Sequence, residues 1–475
     1  METPIKTSTG PVARSPSSPR VAVGGRPRSS SIADILASPP PVKADVPADW
    51  TTIALSKLVS NDRLVYIDGS LPVEAAYEKM IEHSFTSLPV KGRPDREVLT
   101  EAFDYAGIST LLLLVTGHLK ATTHVANLDE YVQRARAGFD VPVSFVLSLG
   151  AKEDLIALGE SDPLLTAVEH FGRGVHRLIV SKSRSSTAIA DVVGILSQRR
   201  VLRYFWDNAR AFPSLEGLMQ TPIQDLDIGS AAVISIAGDA LVIDALQTMA
   251  RESITSIAVV DHDANLLGNI SIVDVKHLTK STSAHLLEAT CLQFLTVILT
   301  DRGLENGKDS FPVFNITPQS TLAHTIAKLV ATKAHRMWIV QPPNAAKPPP
   351  SPVPASPVGG LAAPQPHAAA PPAAAAPPSP VPSPSVHSRL GGRLIGVVSL
   401  TDILNLLART AGGDSADPHE ARRQRRRSSS SSTRSSFSLE GPTTASSASS
   451  RRSVSIDRGN MRGSFDRGSS RPPAL

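Results

Sequence analysis

Cysteine is nearly absent. Cys291 stands alone in 475 residues, which excludes an intramolecular disulfide framework and any multi-cysteine zinc or iron–sulfur centre, and makes a reducing compartment the expected setting. Aromatic residues are scarce at 4%, against 39 prolines and 30 glycines, so much of the chain has too little to bury and too many breaks to pack. No uncharged apolar run reaches the roughly 20 residues that span a bilayer, and the N-terminus lacks the apolar stretch of a secretory signal. The sequence therefore predicts a soluble intracellular protein with no membrane partner. Positive charge is scarce in the middle of the chain. Residues 1–31 carry +4 and residues 421–475, with twelve Arg against three acids, carry +9. With a whole-chain charge of +5, residues 32–420 are left at −8. That distribution excludes a uniformly basic nucleic-acid-binding core, and nucleic acid is not an expected partner.

Three stretches read as disordered: a Ser/Pro/Arg-rich leader over 1–44, a Pro/Ala-rich segment over 341–390 and an Arg/Ser-rich tail over 411–475. Each buries too little to offset the entropy of ordering. Hydrophobic periodicity occupies the remainder, and it repeats. Each of four copies opens on a polar residue (Ser70, Asp162, Asp239, Ser320) with the chemistry of a helix N-cap. An amphipathic helix, a β-branched strand, a second strand and a second helix follow. Three copies carry G-x-x-S before the last helix: Gly194–Ser197, Gly268–Ser271 and Gly396–Ser399. The first copy has STLLLLVTGHLK at that place and reads as carrying an insertion, KGRPDREVLTEAFDYAGIS, before its second strand. The fourth is split by 341–390, so Trp338–Val340 must pair with Leu394–Val397 across some fifty residues, which loop entropy allows. The alternative is a linker between separate domains, though 391–410 alone is too short to fold.

These copies resemble CBS domains, β-α-β-β-α units that pair into Bateman modules and hold adenosine nucleotides between them. The resemblance implies an α+β fold of four repeats, over 45–135, 136–212, 213–283 and 284–410, forming two modules. The details are similar to the γ subunit of the AMP-activated kinase, whose HRxxVV strand and Ser/Thr-x-x-Asp junction contact nucleotide. His335-Arg336 and Ser399-Leu400-Thr401-Asp402 match that pattern. A carboxylate at a helix N-terminus can accept ribose hydroxyls, and His and Arg can meet phosphates with charge-assisted bonds. The third copy keeps Ser271 and Asp274 but has Thr255-Ser256 in place of His-Arg; the second keeps His176, Arg177 and Ser197 but has Arg200 in place of Asp. The first, with Thr86-Ser87, reads as structural. A plain N-cap with a first-turn acid remains the alternative for Ser271/Asp274 and Ser399/Asp402, at about 1 kcal/mol of helix stability. No cofactor is required; AMP, ADP or ATP would be a regulatory ligand.

The layout over 30–410 is most similar to the fungal Sds-type, or Moc-type, CBS proteins. The resemblance rests on SIADIL after a basic leader, Trp50, EAFDYAGISTLLLLV, LDIGSAAVISIAGDALVIDAL and the Ser-rich basic tail. It implies roles in DNA replication, cell-cycle progression and cell separation under nutrient stress. It also implies a protein phosphatase of the type 2A class, or its regulatory subunit, as partner. The runner-up is a γ-like nucleotide-sensing subunit of an AMP-activated-type kinase complex. Nothing in the sequence reads as catalytic. Cys291 lies in the apolar ATCLQFLTVIL, as a buried structural thiol would, and the thirteen histidines show no metal spacing. Ser31, Ser428 and Ser455 each follow an Arg by three residues, the signature of a basophilic kinase substrate, and each phosphate would add about −1.5 to −2 charges. RRQRRRSSS also reads as a nuclear-import signal or a phosphate contact, so cytoplasm and nucleus are the expected locations.

Overall fold

A computed structural model of the chain describes residues 39–40, 46–59, 64–93, 96–121, 125–150, 155–279, 281–306, 315–341, 392–414 and 437–438. The three expected disordered stretches lie almost wholly outside them, as do Ser31, Ser428 and Ser455.

A short helix, α1 (Ser56–Val59), precedes unit one, which comprises β1 (Ile67–Asp68), α2 (Val73–Glu82), β2 (Ser87–Arg93), β3 (Arg96–Asp104) and α3 (Tyr105–Val115). The connection to unit two carries β4 (Lys120–Ala121), α4 (Leu128–Arg136) and α5 (Val143–Leu149). Unit two comprises β5 (Ile156–Gly159), α6 (Leu164–Gly172), β6 (Arg177–Ser181), β7 (Val192–Ser197) and α7 (Gln198–Asp207). After α8 (Glu216–Gln220), unit three follows with β8 (Ser235–Ala237), α9 (Val242–Arg251), β9 (Ser256–Val260), β10 (Leu266–Ser271) and a closing 3-10 turn, Ile272–His277. After α10 (Cys291–Asn306), unit four has β11 (Asn315–Ile316), α11 (Leu322–Thr332), β12 (Arg336–Gln341), β13 (Arg393–Ser399) and α12 (Leu400–Thr410). The last described pairing sets β14 (Phe437–Ser438) antiparallel to β4.

Every unit has one topology. Its first strand pairs parallel to the second across the helix, and the second pairs antiparallel to the third. Trp338 lies opposite Val397, Ile339 opposite Gly396 and Val340 opposite Leu394, so the residues flanking 342–391 belong to one sheet and the separate-domain alternative falls.

Two expectations need correction. In unit one, Arg96–Asp104 is the third strand and pairs with Ser87–Arg93, so the supposed insertion is the hairpin itself, and STLLLLV is the interior of α3. The missing G-x-x-S hid this, because Asp104 takes the place of the serine. The polar openers are also not the helix caps. Pro72 and Pro163 hold the N-cap positions of α2 and α6 and offer no side-chain acceptor, Leu241 does the same for α9, and Thr321 caps α11 through His324 N–H. Two of the openers close the preceding turn instead. Asp162 accepts from Gly159 N–H at 2.8 Å, and Ser320 Oγ accepts from Thr317 N–H at 3.1 Å.

Packing joins the units into a ring. Units one and two meet sheet to sheet through Leu99, Ala157 and Ile179, and units three and four through Ala258, Leu266, Trp338 and Val340. Units two and four share one helical core and units one and three the other. Gly172 on α6 sits so close to α12 that a Cβ would lie 2.8 Å from Asn405 Cα. The connecting segments trade places within each pair. Trp50–Val59 packs into the core of unit two, and Val141–Leu149 into that of unit one. Likewise Leu215, Met219 and Ile223 join unit four, while Leu287 to Ile298 join unit three. Cys291, fully buried there, has its thiol pushed up to about 12 by burial and by Asp244 and Asp239, as a structural cysteine would.

Candidate functional site

The hairpin register sets the site. Ser87, Arg177, Ser256 and Arg336 start the second strands, opposite Asp104, Ser197, Ser271 and Ser399 at the ends of the third. The residue just before each start, Thr86, His176, Thr255 or His335, therefore lies at the strand-to-helix junction. In three units its carbonyl accepts from the first helical N–H: His176 from Gln198 at 3.3 Å, Thr255 from Ile272 at 2.9 Å and His335 from Leu400 at 3.1 Å.

The even units reach into the odd ones at equivalent places. Arg177 Nη2 donates to Thr86 Oγ1 at 2.7 Å, and Arg336 Nη2 donates to Thr255 Oγ1 at 3.1 Å while its Nη1 reaches the Ser256 carbonyl at 3.3 Å. His335 lies where these arms converge. The residue as a whole is exposed, yet burial of its imidazole, followed by the guanidiniums of Arg199, Arg177 and Arg336, pushes its pKa down to about 4. Near neutral pH it is an uncharged imidazole beside three cations. Arg199 is itself held below its ordinary range by burial. Facing Arg177, Asp104 caps α3 by accepting from Ala106 and Gly107 N–H at 2.9 and 3.2 Å; burial raises its pKa against the pull of Arg177 and those bonds. The four units thus converge on a cationic cluster.

The candidate acids are placed differently. Asp402, 2% exposed, accepts from Ser399 N–H and Ser399 Oγ, both at 2.8 Å. Asp274, 4% exposed, accepts from Ser271 N–H at 2.7 Å in a capping box. Both carboxylates are engaged in starting a helix. Thr401 Oγ1 accepts from Gln198 Nε2 at 3.0 Å and so ties unit four to unit two. Ser197 Oγ accepts from Arg200 N–H at 3.3 Å, and His176 is exposed. The structure therefore gathers His335, Arg336, Thr255 and Arg177 at one locus, while Ser271, Asp274, Ser399 and Asp402 cap adjoining helices.

Sequence reasoning missed Arg199 and Asp104. Arg199 did leave a signal: Arg199-Arg200 in the first turn of α7 places two cations where the helix dipole disfavours them, a local violation of the kind that marks functional positions. Chemically, guanidiniums and an imidazole converging at one surface recognise an anion of phosphate type. Among the described residues no group of three or more His, Cys, Asp or Glu could hold a metal ion, and no helix is long and apolar enough to cross a membrane.

Comparison with known proteins adds sequence relatives. A family model described as the CBS domain matches residues 225–280, which contain unit three. The chain is 47% identical over 412 residues to Protein SDS23 of Yarrowia lipolytica, covering 86% of this chain and 75% of the relative. It is 42% identical over 422 residues to Protein sds23 of Aspergillus niger, covering 86% and 82%. Among solved structures, a Methanocaldococcus jannaschii protein aligns over 75% of this chain and 100% of its own at 14% identity, with a TM-score of 0.49.

Proposed function

Because the chain belongs to the SDS23 family of CBS-domain proteins, we propose that it is a non-enzymatic regulator built from four CBS repeats in two Bateman modules, over 45–212 and 213–410. The exchange of connecting segments supports this division, since each swap stays within one module. The regulatory ligand is an adenine nucleotide whose phosphates are met by Arg336, Arg177 and Arg199 beside His335, with Thr255 at the rim. The convergence of these cations from different units is the observation that carries the reading. Such a ligand biases the ring only through its differential affinity for two arrangements. The partner is a type 2A-class phosphatase or its regulatory subunit, and the setting is cell-cycle progression, DNA replication and cell separation under nutrient stress. Ser31, Ser428 and Ser455 serve as sites for a basophilic kinase.

Calorimetric titration of the full chain with AMP, ADP and ATP, beside Arg199→Gln and Arg336→Gln variants, tests the site. Micromolar affinity weakened at least ten-fold in both variants is expected. A chain that binds none of the three removes the nucleotide ligand, and binding untouched by either substitution moves it elsewhere.

A further inference from the structure

Units one and three receive an arginine from their neighbours in the same frame. Arg177 Nη2 donates to Thr86 Oγ1 at 2.7 Å, and Arg336 Nη2 donates to Thr255 Oγ1 at 3.1 Å. The residue after each threonine, Ser87 or Ser256, lies opposite the last residue of the third strand, which is Asp104 in unit one and Ser271 in unit three. From the strand end onward, unit one reads Asp104-Tyr105-Ala106-Gly107 and unit three reads Ser271-Ile272-Val273-Asp274. The acid of the junction has moved from the fourth position to the first.

That shift changes where the negative charge stands. Asp274 is 4% exposed and turned back on Ser271, whose N–H it accepts at 2.7 Å. Asp104 caps α3 through one oxygen: Oδ1 accepts from Ala106 N–H at 2.9 Å and from Gly107 N–H at 3.2 Å, while Oδ2 makes no hydrogen bond among the described residues. Its charge acts on Arg177. At His335, by contrast, the charges that act are all cationic, from Arg199, Arg177 and Arg336. A carboxylate and a phosphate compete for one guanidinium, because the same fork of N–H groups fits either, and two anions within about 4–6 Å disfavour each other. We propose that Asp104 is a built-in counter-anion that keeps phosphate out of the Arg177–Thr86 locus, so that the ring takes a single phosphate-type anion, on the Arg336 side. The proposal rests on the reading of the cluster as an anion site, and it adds what sets the number and polarity of its ligands. Arg177 reaches that anion through its field at His335. Asp104 thereby decides which way round a phosphate ligand lies in a ring that offers the same arginine–threonine frame twice.

Calorimetric titration of the full chain with inorganic pyrophosphate tests this. Asp104→Asn keeps the size of the side chain and an N-cap acceptor and removes the charge; Asp104→Ser installs the junction residue of the other three units. The parent should bind one pyrophosphate and each variant two, the second within ten-fold of the first in affinity. Adding Arg336→Gln to Asp104→Asn should weaken one of the two sites at least ten-fold and leave the other. A parent that binds pyrophosphate beside variants that bind no more of it overturns the proposal and leaves the anion site standing. A second site that Arg336→Gln removes together with the first overturns it as well. A parent that binds none beside variants that bind one upholds the exclusion by Asp104 and overturns the anion site on the Arg336 side.

Discussion

His335 concentrates the electrostatics of the molecule in one side chain. Its pKa in the folded protein is about 4, against 6.5 for the free group. Between those values the unfolded chain binds more protons than the folded one, so this residue's contribution to stability is intact above about pH 6.5 and is lost as pH falls through 4. His170 and His324 are shifted in the same direction by burial and add to the slope. His335→Gln should therefore gain on the parent as pH falls from 7 to 4.5, with a shallower loss of urea midpoint across that range; parallel curves for the two proteins would show that neither burial nor the neighbouring arginines depresses the His335 pKa. Legibility at this scale was uneven. His335 and Arg336 announced themselves as a motif, whereas Arg199 was invisible as a partner because it belongs to another unit, more than 130 residues away in the chain. Sequence neighbours state what a residue is, but only the closed ring states which charges it faces.

At the scale of elements, capping bonds fix the junction between third strand and closing helix in units three and four. Asp402 is buried and bonded to Ser399 at both its N–H and its hydroxyl, so the carboxylate stabilises α12 with no ligand present. Asp402→Ala should lower the stability of nucleotide-free protein by about 0.5–2 kcal/mol, the range for loss of a helix cap, measured as the urea midpoint at constant slope. Asp274→Ala should cost a similar amount. A nucleotide-free Asp402→Ala protein as stable as the parent would show that its bonds to Ser399 add nothing net to the stability of α12. The same junction explains what the sequence hid in unit one. Strand and helix periodicity were readable there, but the serine that marks the boundary in the other units is Asp104, which accepts the same kind of backbone bonds without matching the motif. Unit three departs as well: its closing element shrinks to the 3-10 turn Ile272–His277, although its Ser271/Asp274 box equals that of unit four in chemistry. An identical start signal does not set the length of the helix it opens, because the neighbouring units decide how much helix can be buried.

Across the whole molecule, the pairing of Trp338–Val340 with Leu394–Val397 was legible because hydrophobic period and loop entropy act locally or nearly so. The ring was not, because helix faces of units far apart in the chain complete one another's cores. Helix α6 meets α12 through Gly172 and Asn405, Gln198 of α7 donates to Thr401, and Gln247 of α9 donates to the His118 carbonyl of unit one at 2.9 Å. Half of the ring is consequently an incomplete core. A fragment of residues 46–212 keeps both sheets and the exchanged segments of its own pair, yet it uncovers the faces of α6 and α7 that α11 and α12 bury, where residues such as Phe171 and Leu202 are at most 1% exposed. Each such side chain returned to water costs about 1.5–3 kcal/mol. The fragment should therefore sediment at twice its monomer mass or more, with a second copy standing in for the missing units, and addition of the 213–414 half should convert it to a one-to-one complex. A monomeric fragment with a cooperative unfolding transition of its own would mean that each pair closes its core alone. In that case a ligand bound between the pairs would have no shared core through which to bias the far side of the ring.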